Sequence, residues 1–251
     1  MISKSARFAM AFFMSMCFPT LNAIVAANPH EVLPSTSTGT IRGIVKFQGV
    51  LPKSKSISMA SDPVCARMHA GSVNVQEIIT AGDGSLQNAV VFIADGIGDR
   101  NFEAPRQTAV IQQKGCMFEP HVVALQAGQP LEIVNGDSVT HNIHPLPTNN
   151  REWNMAELPG SKLEQSFARE EIAIPVKCNV HSWMRGYIAV FKHPYFAVTD
   201  KDGSFELSNL PPGTYTVEVW HEKLGTSTQK VSVVADETKD TKFVLKGMSA
   251  N

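Results

Sequence analysis

Hydrophobic and polar positions alternate with a period of two through most of this chain, in short runs bounded by Gly, Pro, Asn or Asp. Because successive side chains of a strand point to opposite faces of a sheet, the pattern predicts short, half-buried strands. The predicted fold class is therefore all-β. The clearest runs are Ile41 to Phe47, Ala89 to Ile93, Val122 to Leu125, Leu131 to Val134, Ile172 to Val176, Tyr187 to Phe191, Phe205 to Leu207, Tyr215 to Trp220 and Gln229 to Val234.

Only two segments could hold a helical turn or two. They run from Arg151 to Leu158 and from Leu163 to Glu171, and Pro159-Gly160 separates them. The sequence contains no repeat of fixed period.

The first 27 residues have the features of a secretory signal peptide. Lys4 and Arg7 supply a basic start, Phe8 to Val25 is mostly apolar, and small residues precede a cleavage point near Ala27. An uncleaved membrane anchor is the alternative, but a Pro and an Asn interrupt the apolar run. We expect a periplasmic or otherwise exported protein, with no stable membrane insertion after cleavage.

The charge balance of the remaining chain is slightly acidic. Removing Lys4 and Arg7 leaves 20 basic and 23 acidic side chains, and the basic ones are scattered singly. Nucleic acid is therefore not an expected partner.

Cysteine usage carries more information. Export exposes Cys65, Cys116 and Cys178 to an oxidising compartment. Because three is an odd number, one thiol stays free, pairs between chains, or is protected by another ligand, most commonly a metal. Cys65 and Cys116 can pair as a disulfide, which leaves Cys178 for chemistry. The alternative is that Cys178 is a buried structural thiol.

One loop supplies three potential metal ligands at close spacing. Cys178, His181 and Met184 lie at i, i+3 and i+6, and His141 comes 37 residues before the cysteine. Two imidazoles, one thiolate and a weak axial thioether form the ligand set of blue-copper electron-transfer sites. Zinc also accepts Cys and His, but the methionine favours copper. His144 is the alternative to His141 as the first ligand.

At these residues the sequence resembles the cupredoxins, the blue type 1 copper proteins of the amicyanin and plastocyanin kind. The ligand loop is followed by Arg185-Gly186 and a final strand, and the resemblance covers roughly residues 108 to 192. It implies a Greek-key sandwich with one copper held by His141, Cys178, His181 and Met184. It also implies that Asn142 hydrogen-bonds across the ligand loops and that His181 presents its ring edge at the surface as the electron port.

The flanking regions resemble a second β-sandwich, the carboxypeptidase regulatory-like or transthyretin-like domain. The resemblance is carried by the hairpin from Thr199 to Leu207, by Leu210 to Val217, and by an opening strand near Gly39. Because these elements lie on both sides of the copper region, we expect that region to be inserted into one discontinuous sandwich; three modules in series are the alternative. The predicted division is a signal peptide at 1–27, a linker at 28–38, the first part of the sandwich at 39–106, the copper domain at 107–193 and the second part of the sandwich at 194–247.

The expected function is one-electron transfer between periplasmic donor and acceptor proteins, without enzymatic activity of its own. Lys177 and Asn179 flank Cys178, whereas multicopper oxidases carry a His-Cys-His core there. A dinuclear electron-transfer copper centre would need a second cysteine in the loop. The alternative function is copper storage or delivery without redox cycling, which would use the same ligands.

Overall fold

The structure is a computed structural model that describes residues 37–53 and 55–247. The predicted signal peptide and nearly all of the predicted linker lie outside these residues. Among the described residues, no helix is long and apolar enough to cross a membrane.

Nearly all of the regular structure is strand, as the alternating pattern predicts. The elements in chain order are β1 (Gly39–Gln48), β2 (Ser56–Ile57), α1 (Pro63–Arg67), β3 (Val73–Asn74), β4 (Val90–Asp95), β5 (Ala109–Gln113), β6 (Phe118–Glu119), β7 (Val122–Gln126), β8 (Leu131–Asn135), β9 (His141–Pro145), β10 (Met155–Glu157), β11 (Lys162–Gln165), β12 (Glu171–Lys177), β13 (Arg185–Phe191), β14 (Phe196–Val198), β15 (Ser204–Leu210), β16 (Gly213–His221), β17 (Gly225–Val233) and β18 (Thr238–Lys246).

The outer sandwich is built from strands on both sides of a long insertion. One sheet has the order β15-β1-β18 and the other β14-β4-β16-β17. In the first, β1 pairs antiparallel with β15 and parallel with β18. Ile41 and Val45 of β1 share one buried core with Val217 and Phe243 from the far side of the insertion. The outer sandwich is thus one discontinuous unit, because β1 and β4, which precede the insertion, each lie between two strands that follow it.

The inserted sandwich also has two sheets. Their strand orders are β10-β9-β12-β13-β7 and β11-β8-β5-β6. Parallel pairs β13–β7 and β5–β8 sit among antiparallel ones, so consecutive strands cross between the sheets. Buried side chains such as Phe118, Leu131, Ile174 and Ile188 fill the space between them. The predicted fold class, all-β with two sandwiches and one inserted in the other, is confirmed; the domain boundaries stay a prediction.

A third group of apolar side chains joins the two sandwiches. Phe191 near the end of β13 is fully buried, and its ring lies 5.0 Å from that of Phe92 in β4 and 4.8 Å from that of Phe196 in β14. Tyr187 and Trp220 meet across the same joint, with ring centroids 5.3 Å apart. Only a short connection separates β13 from β14, so the two sandwiches are packed together rather than tethered.

Residues 55–74, which we call the cap segment, contain β2, α1 and β3. This segment lies within the range predicted for the first part of the outer sandwich. Its buried residues Met59 and Cys65 nevertheless pack into the core of the inserted sandwich. Asp62 begins α1 by accepting hydrogen bonds from the backbone N–H groups of Val64 and Cys65.

All the strands predicted from alternation are present, but the two helical segments are not. Residues 151–158 contain β10 and residues 163–171 contain most of β11 and the start of β12. β10 pairs with β9 and β11 with β8, so the edges of existing sheets supply the hydrogen bonds that a helix would have made internally.

Candidate metal centre

The loop that carries three of the predicted ligands lies between two paired strands. β12 ends at Lys177 and β13 begins at Arg185, and these two residues are partners in the antiparallel ladder. Inside the loop, the N–H of Cys178 donates to the carbonyl of Met184, and the N–H of His181 donates to the Cys178 sulfur at 3.4 Å. The ladder and these bonds fix the direction of each side chain.

The side chains of His141, Cys178 and His181 converge. One ligand atom from each lies within 4.8 Å of the others, and all three residues are buried. The Nδ1 atoms of His141 and His181 are 2.9 Å apart, and the Cys178 sulfur is 3.9 Å from Nδ1 of His181. His141 reaches this point because β9 pairs with β12 next to the loop.

Each imidazole has a carboxylate on its outer nitrogen. Nε2 of His141 lies 2.9 Å from Oδ2 of Asp137, and Nε2 of His181 lies 3.0 Å from Oδ2 of Asp62. Because a carboxylate only accepts hydrogen bonds, each Nε2 must donate. In neutral imidazoles both Nδ1 atoms then turn lone pairs toward each other, an arrangement that requires a cation or a proton between them.

In the metal-free chain, the raised pKa of His141 favours a proton in that position. Burial opposes the charged form of His141, but hydrogen bonds to Asp137 and Cys178 outweigh it and raise the pKa of His141 to about 9. Burial likewise opposes the thiolate, yet the hydrogen bond with His141 and nearby backbone groups lower the pKa of Cys178 to about 6. Without metal, both shifts favour a thiolate beside an imidazolium.

Asn142 ties the two ligand segments together, as the family resemblance implied. Its side-chain oxygen accepts the N–H of Asn179 at 2.6 Å and lies 3.3 Å from the Cys178 sulfur. This prediction is confirmed. The hydrogen bond to the sulfur comes from the N–H of His181, and such a bond is one of the influences that tune a copper–thiolate site.

The remaining two candidates occupy different surroundings. Met184 is fully buried in the core of the inserted sandwich, at the end of the ligand loop. His144 lies away from the other three: its Nε2 is 2.6 Å from a Glu152 carboxylate oxygen and its Nδ1 is 3.3 Å from the side-chain oxygen of Asn179. The geometry therefore favours His141 over His144 as the first ligand.

The expectation that His181 exposes its ring edge is wrong. Only 2% of the residue is accessible, because the cap segment covers it. The Cys65 sulfur lies 3.6 Å from Nε2 of His181, and Cys65 forms a disulfide with Cys116. Trp183 closes the other side, with its ring centroid 5.1 Å from that of His181 and its Nε1 donating to the carbonyl of Cys116.

The donor set fits a single soft metal ion. Two nitrogens bound to one ion at about 2.1 Å cannot be more than about 4.2 Å apart, and a nitrogen and a thiolate sulfur no more than about 4.4 Å. The separations of 2.9 Å and 3.9 Å satisfy both limits. His141, Cys178 and His181 would hold the ion, and Met184 in the same loop would supply the thioether.

Three acidic residues of the centre were not assigned a role from the sequence. Asp137 stands four residues before His141, and its carboxylate also accepts the N–H groups of Gly115 and Cys116. Glu157 faces His141 across the β10–β9 ladder, where burial raises its pKa to about 7, and it accepts a hydrogen bond from Gln113. Of the three, only Asp137 is close enough to His141 in sequence to have been noticed. Asp62 and Glu157 reach the centre only through tertiary packing.

Comparison with known families finds a match within the outer sandwich. Residues 188–246 match the carboxypeptidase regulatory-like domain. The match begins within β13 and ends at the last residue of β18, so it covers the part of the outer sandwich that follows the insertion. The predicted resemblance to this domain is confirmed. No curated protein matches the chain in sequence.

Solved structures similar to part of the chain include the following three proteins. A Cu-containing nitrite reductase from Thermus scotoductus SA-01 is 20% identical, with a TM-score of 0.33, over 39% of this chain and 25% of the reductase. A purple cupredoxin from Nitrosopumilus maritimus is 23% identical, with a TM-score of 0.29, over 33% of this chain and 98% of that protein. An amicyanin variant is 16% identical, with a TM-score of 0.31, over 40% of this chain and 97% of that protein. The chain thus spans a quarter of the reductase, and the side chains themselves carry the support for a metal centre.

Proposed function

We propose that this chain is a mononuclear blue-copper protein that transfers single electrons between partner proteins. The observation that carries the proposal is the buried convergence of Nδ1 of His141, Nδ1 of His181 and the sulfur of Cys178, with both outer imidazole nitrogens held by carboxylates. His141, Cys178, His181 and Met184 are the proposed ligands of one copper ion.

The residue types suit an ion that changes between two oxidation states. Copper bound by thiolate, thioether and two imidazoles supplies one-electron redox chemistry. The protein contributes a stiff frame: the β12–β13 ladder holds the loop, Asn142 bridges it to β9, and the cap segment excludes water from His181. A frame that moves little keeps the reorganisation accompanying electron transfer small.

The place of action and the partners follow from the same proposal. The signal-like residues 1–27 and the Cys65–Cys116 disulfide favour an oxidising, exported location such as the periplasm. Donor and acceptor redox proteins would be the partners. We propose no enzymatic reaction for the chain itself.

Copper loading with a cysteine variant tests the ligand set. The full mature chain loaded with Cu(II) should show the intense visible absorption of a copper–thiolate bond, and Cys178→Ser should lose it while keeping the far-UV circular dichroism of the fold. His144→Gln is the matched control, because this histidine sits on the strand beside the loop outside the cluster. Absorption that survives in Cys178→Ser, or disappears in His144→Gln, would contradict the proposed ligands.

Electrochemistry separates the shuttle from the rival function of copper storage or delivery. The buried position of all three clustered ligands favours a retained ion over a labile one. We expect reversible cycling and slow transfer of Cu(I) to a competing chelator. Rapid loss of Cu(I) without reversible cycling would support delivery instead.

A further inference from the structure

The cap segment brings a carboxylate to the metal centre from outside the copper-binding sandwich. Asp62 lies 119 residues before His181 in sequence, yet its Oδ2 is 3.0 Å from Nε2 of that imidazole. His181 is 3% exposed at its side chain, so this carboxylate is the polar partner that replaces water on its outer nitrogen.

We propose that Asp62 is a positioning residue for His181, holding the proton on Nε2 so that Nδ1 faces the metal. This inference rests on the proposed copper function. Metal-binding histidines generally donate their second N–H to a carboxylate, carbonyl or water, and that bond fixes both the tautomer and the ring orientation. Here the bond also means that the centre is completed by a segment lying between strands β1 and β4 of the outer sandwich.

The two oxygens of Asp62 have separate tasks. Oδ1 accepts the N–H groups of Val64 at 2.8 Å and Cys65 at 3.2 Å, which caps α1. Oδ2 faces His181. A structural role and a positioning role can therefore be separated by substitution, because one depends on Oδ1 and the other on Oδ2.

Asp62→Asn should keep the cap of α1 but reverse the direction of the hydrogen bond with His181. Asn caps helices about as well as Asp, and the two backbone N–H groups fix its oxygen in the Oδ1 position. Its NH₂ group must then point at Nε2 of His181, where it donates instead of accepting. The imidazole is driven toward the tautomer with its proton on Nδ1, which cannot bind a metal through that atom. Asp62→Ala loses the cap, but leaves Nε2 free to donate to an entering water.

The two substitutions should therefore rank in opposite orders in two measurements. In thermal unfolding of the metal-free full chain, Asp62→Ala should be the less stable variant. In Cu(II) binding followed by the copper–thiolate absorption, Asp62→Asn should be the weaker, with an affinity about 10- to 100-fold below wild type. Asp200→Asn is the matched control, because Asp200 also accepts two backbone N–H groups, in a turn of the outer sandwich.

Nitrogen NMR of the metal-free chain reads the tautomer without copper. We expect His181 to carry its proton on Nε2 in the wild type and, in Asp62→Asn, on Nδ1, where it would donate to Nδ1 of His141. A wild-type proton on Nδ1 would overturn the inference, as would Asp62→Asn that binds Cu(II) like wild type while Asp62→Ala is worse in both measurements. A wild-type chain that shows the Nε2 proton but no copper–thiolate absorption would refute the proposed function and leave this role of Asp62 supported.

Discussion

His221 is a residue that the fold keeps uncharged. It ends β16, is buried, and its Nδ1 accepts the N–H of Lys223 at 3.2 Å. Burial disfavours the imidazolium and lowers the pKa of His221 from 6.5 to about 4. The imidazole of His221 is protonated at a higher pH in the unfolded chain than in the folded one. The contribution of neutral His221 to the free energy of unfolding is therefore complete above about pH 6.5 and is lost as the pH falls toward 4.

Urea unfolding across this pH range tests the effect. The shift in the pKa of His221 from 6.5 to about 4 corresponds to roughly 3 kcal/mol in the free energy of unfolding. The free energy of unfolding of the wild type, relative to His221→Gln, should fall by about that amount between about pH 7.5 and pH 4. A difference between the two proteins that does not change with pH would show that His221 is not the group responsible.

The side chains of the metal centre differ in how far sequence could identify them. Cys178, His181 and Met184 stand in one loop, so their spacing alone predicts convergence. His141 needed the family resemblance, because His144 offers the same chemistry nearby. Asp62 had no signal at all: an Asp before a Pro indicates a helix start, but nothing in the sequence relates it to a histidine 119 residues later. The burial of His181 was missed for the same reason.

Among the connections between strands, the turn from β14 to β15 demands glycine. Gly203 has φ of +68°, and a Cβ built on it would lie 2.7 Å from the carbonyl oxygen of Val45 and 3.0 Å from the N of Leu86. Gly203→Ala should therefore lower the free energy of unfolding by more than the roughly 1–2 kcal/mol of the left-handed conformation alone.

Thermal or urea unfolding checks this prediction against a second glycine. Among the described residues, nothing lies within 4 Å of a Cβ added to Gly71, and Gly71 has no positive φ, so Gly71→Ala should change stability little. If both variants lose a similar amount of free energy of unfolding, the close approach of Gly203 to β1 is not what makes glycine necessary in this turn.

At the scale of elements, alternation was a dependable guide where a strand has one buried face. β1 and β16 bury alternate residues and were predicted from that pattern. β10 and β11 were not, because they are short edge strands of three and four residues whose pairing with β9 and β8, rather than their own pattern, makes them strands. α1 was missed as well, since five residues are too few for a helical period to show.

At the scale of the whole molecule, the two sandwiches are joined at two places. The aromatic joint around Phe191 packs β13 against β4 and β14. The cap segment leaves the outer sandwich after β1, covers His181, and returns to β4. Sequence could predict the insertion from the order of the sandwich motifs, but it could not predict that the connecting segment would fold over the metal centre.

The Cys65–Cys116 disulfide anchors that segment, and its removal is the test of how much the anchor contributes. It closes a span of 51 residues, so loss of the cross-link by Cys65→Ser with Cys116→Ser should lower the free energy of unfolding by about 4 kcal/mol. Because Cys65 lies 3.6 Å from His181, the same variant should also lose Cu(I) to a chelator faster than wild type. Metal-free Cys178→Ser is the control for stability, since it removes a buried thiol without opening a cross-link. If the double variant is as stable as this control and retains copper like wild type, the cap segment is held in place by its apolar contacts alone.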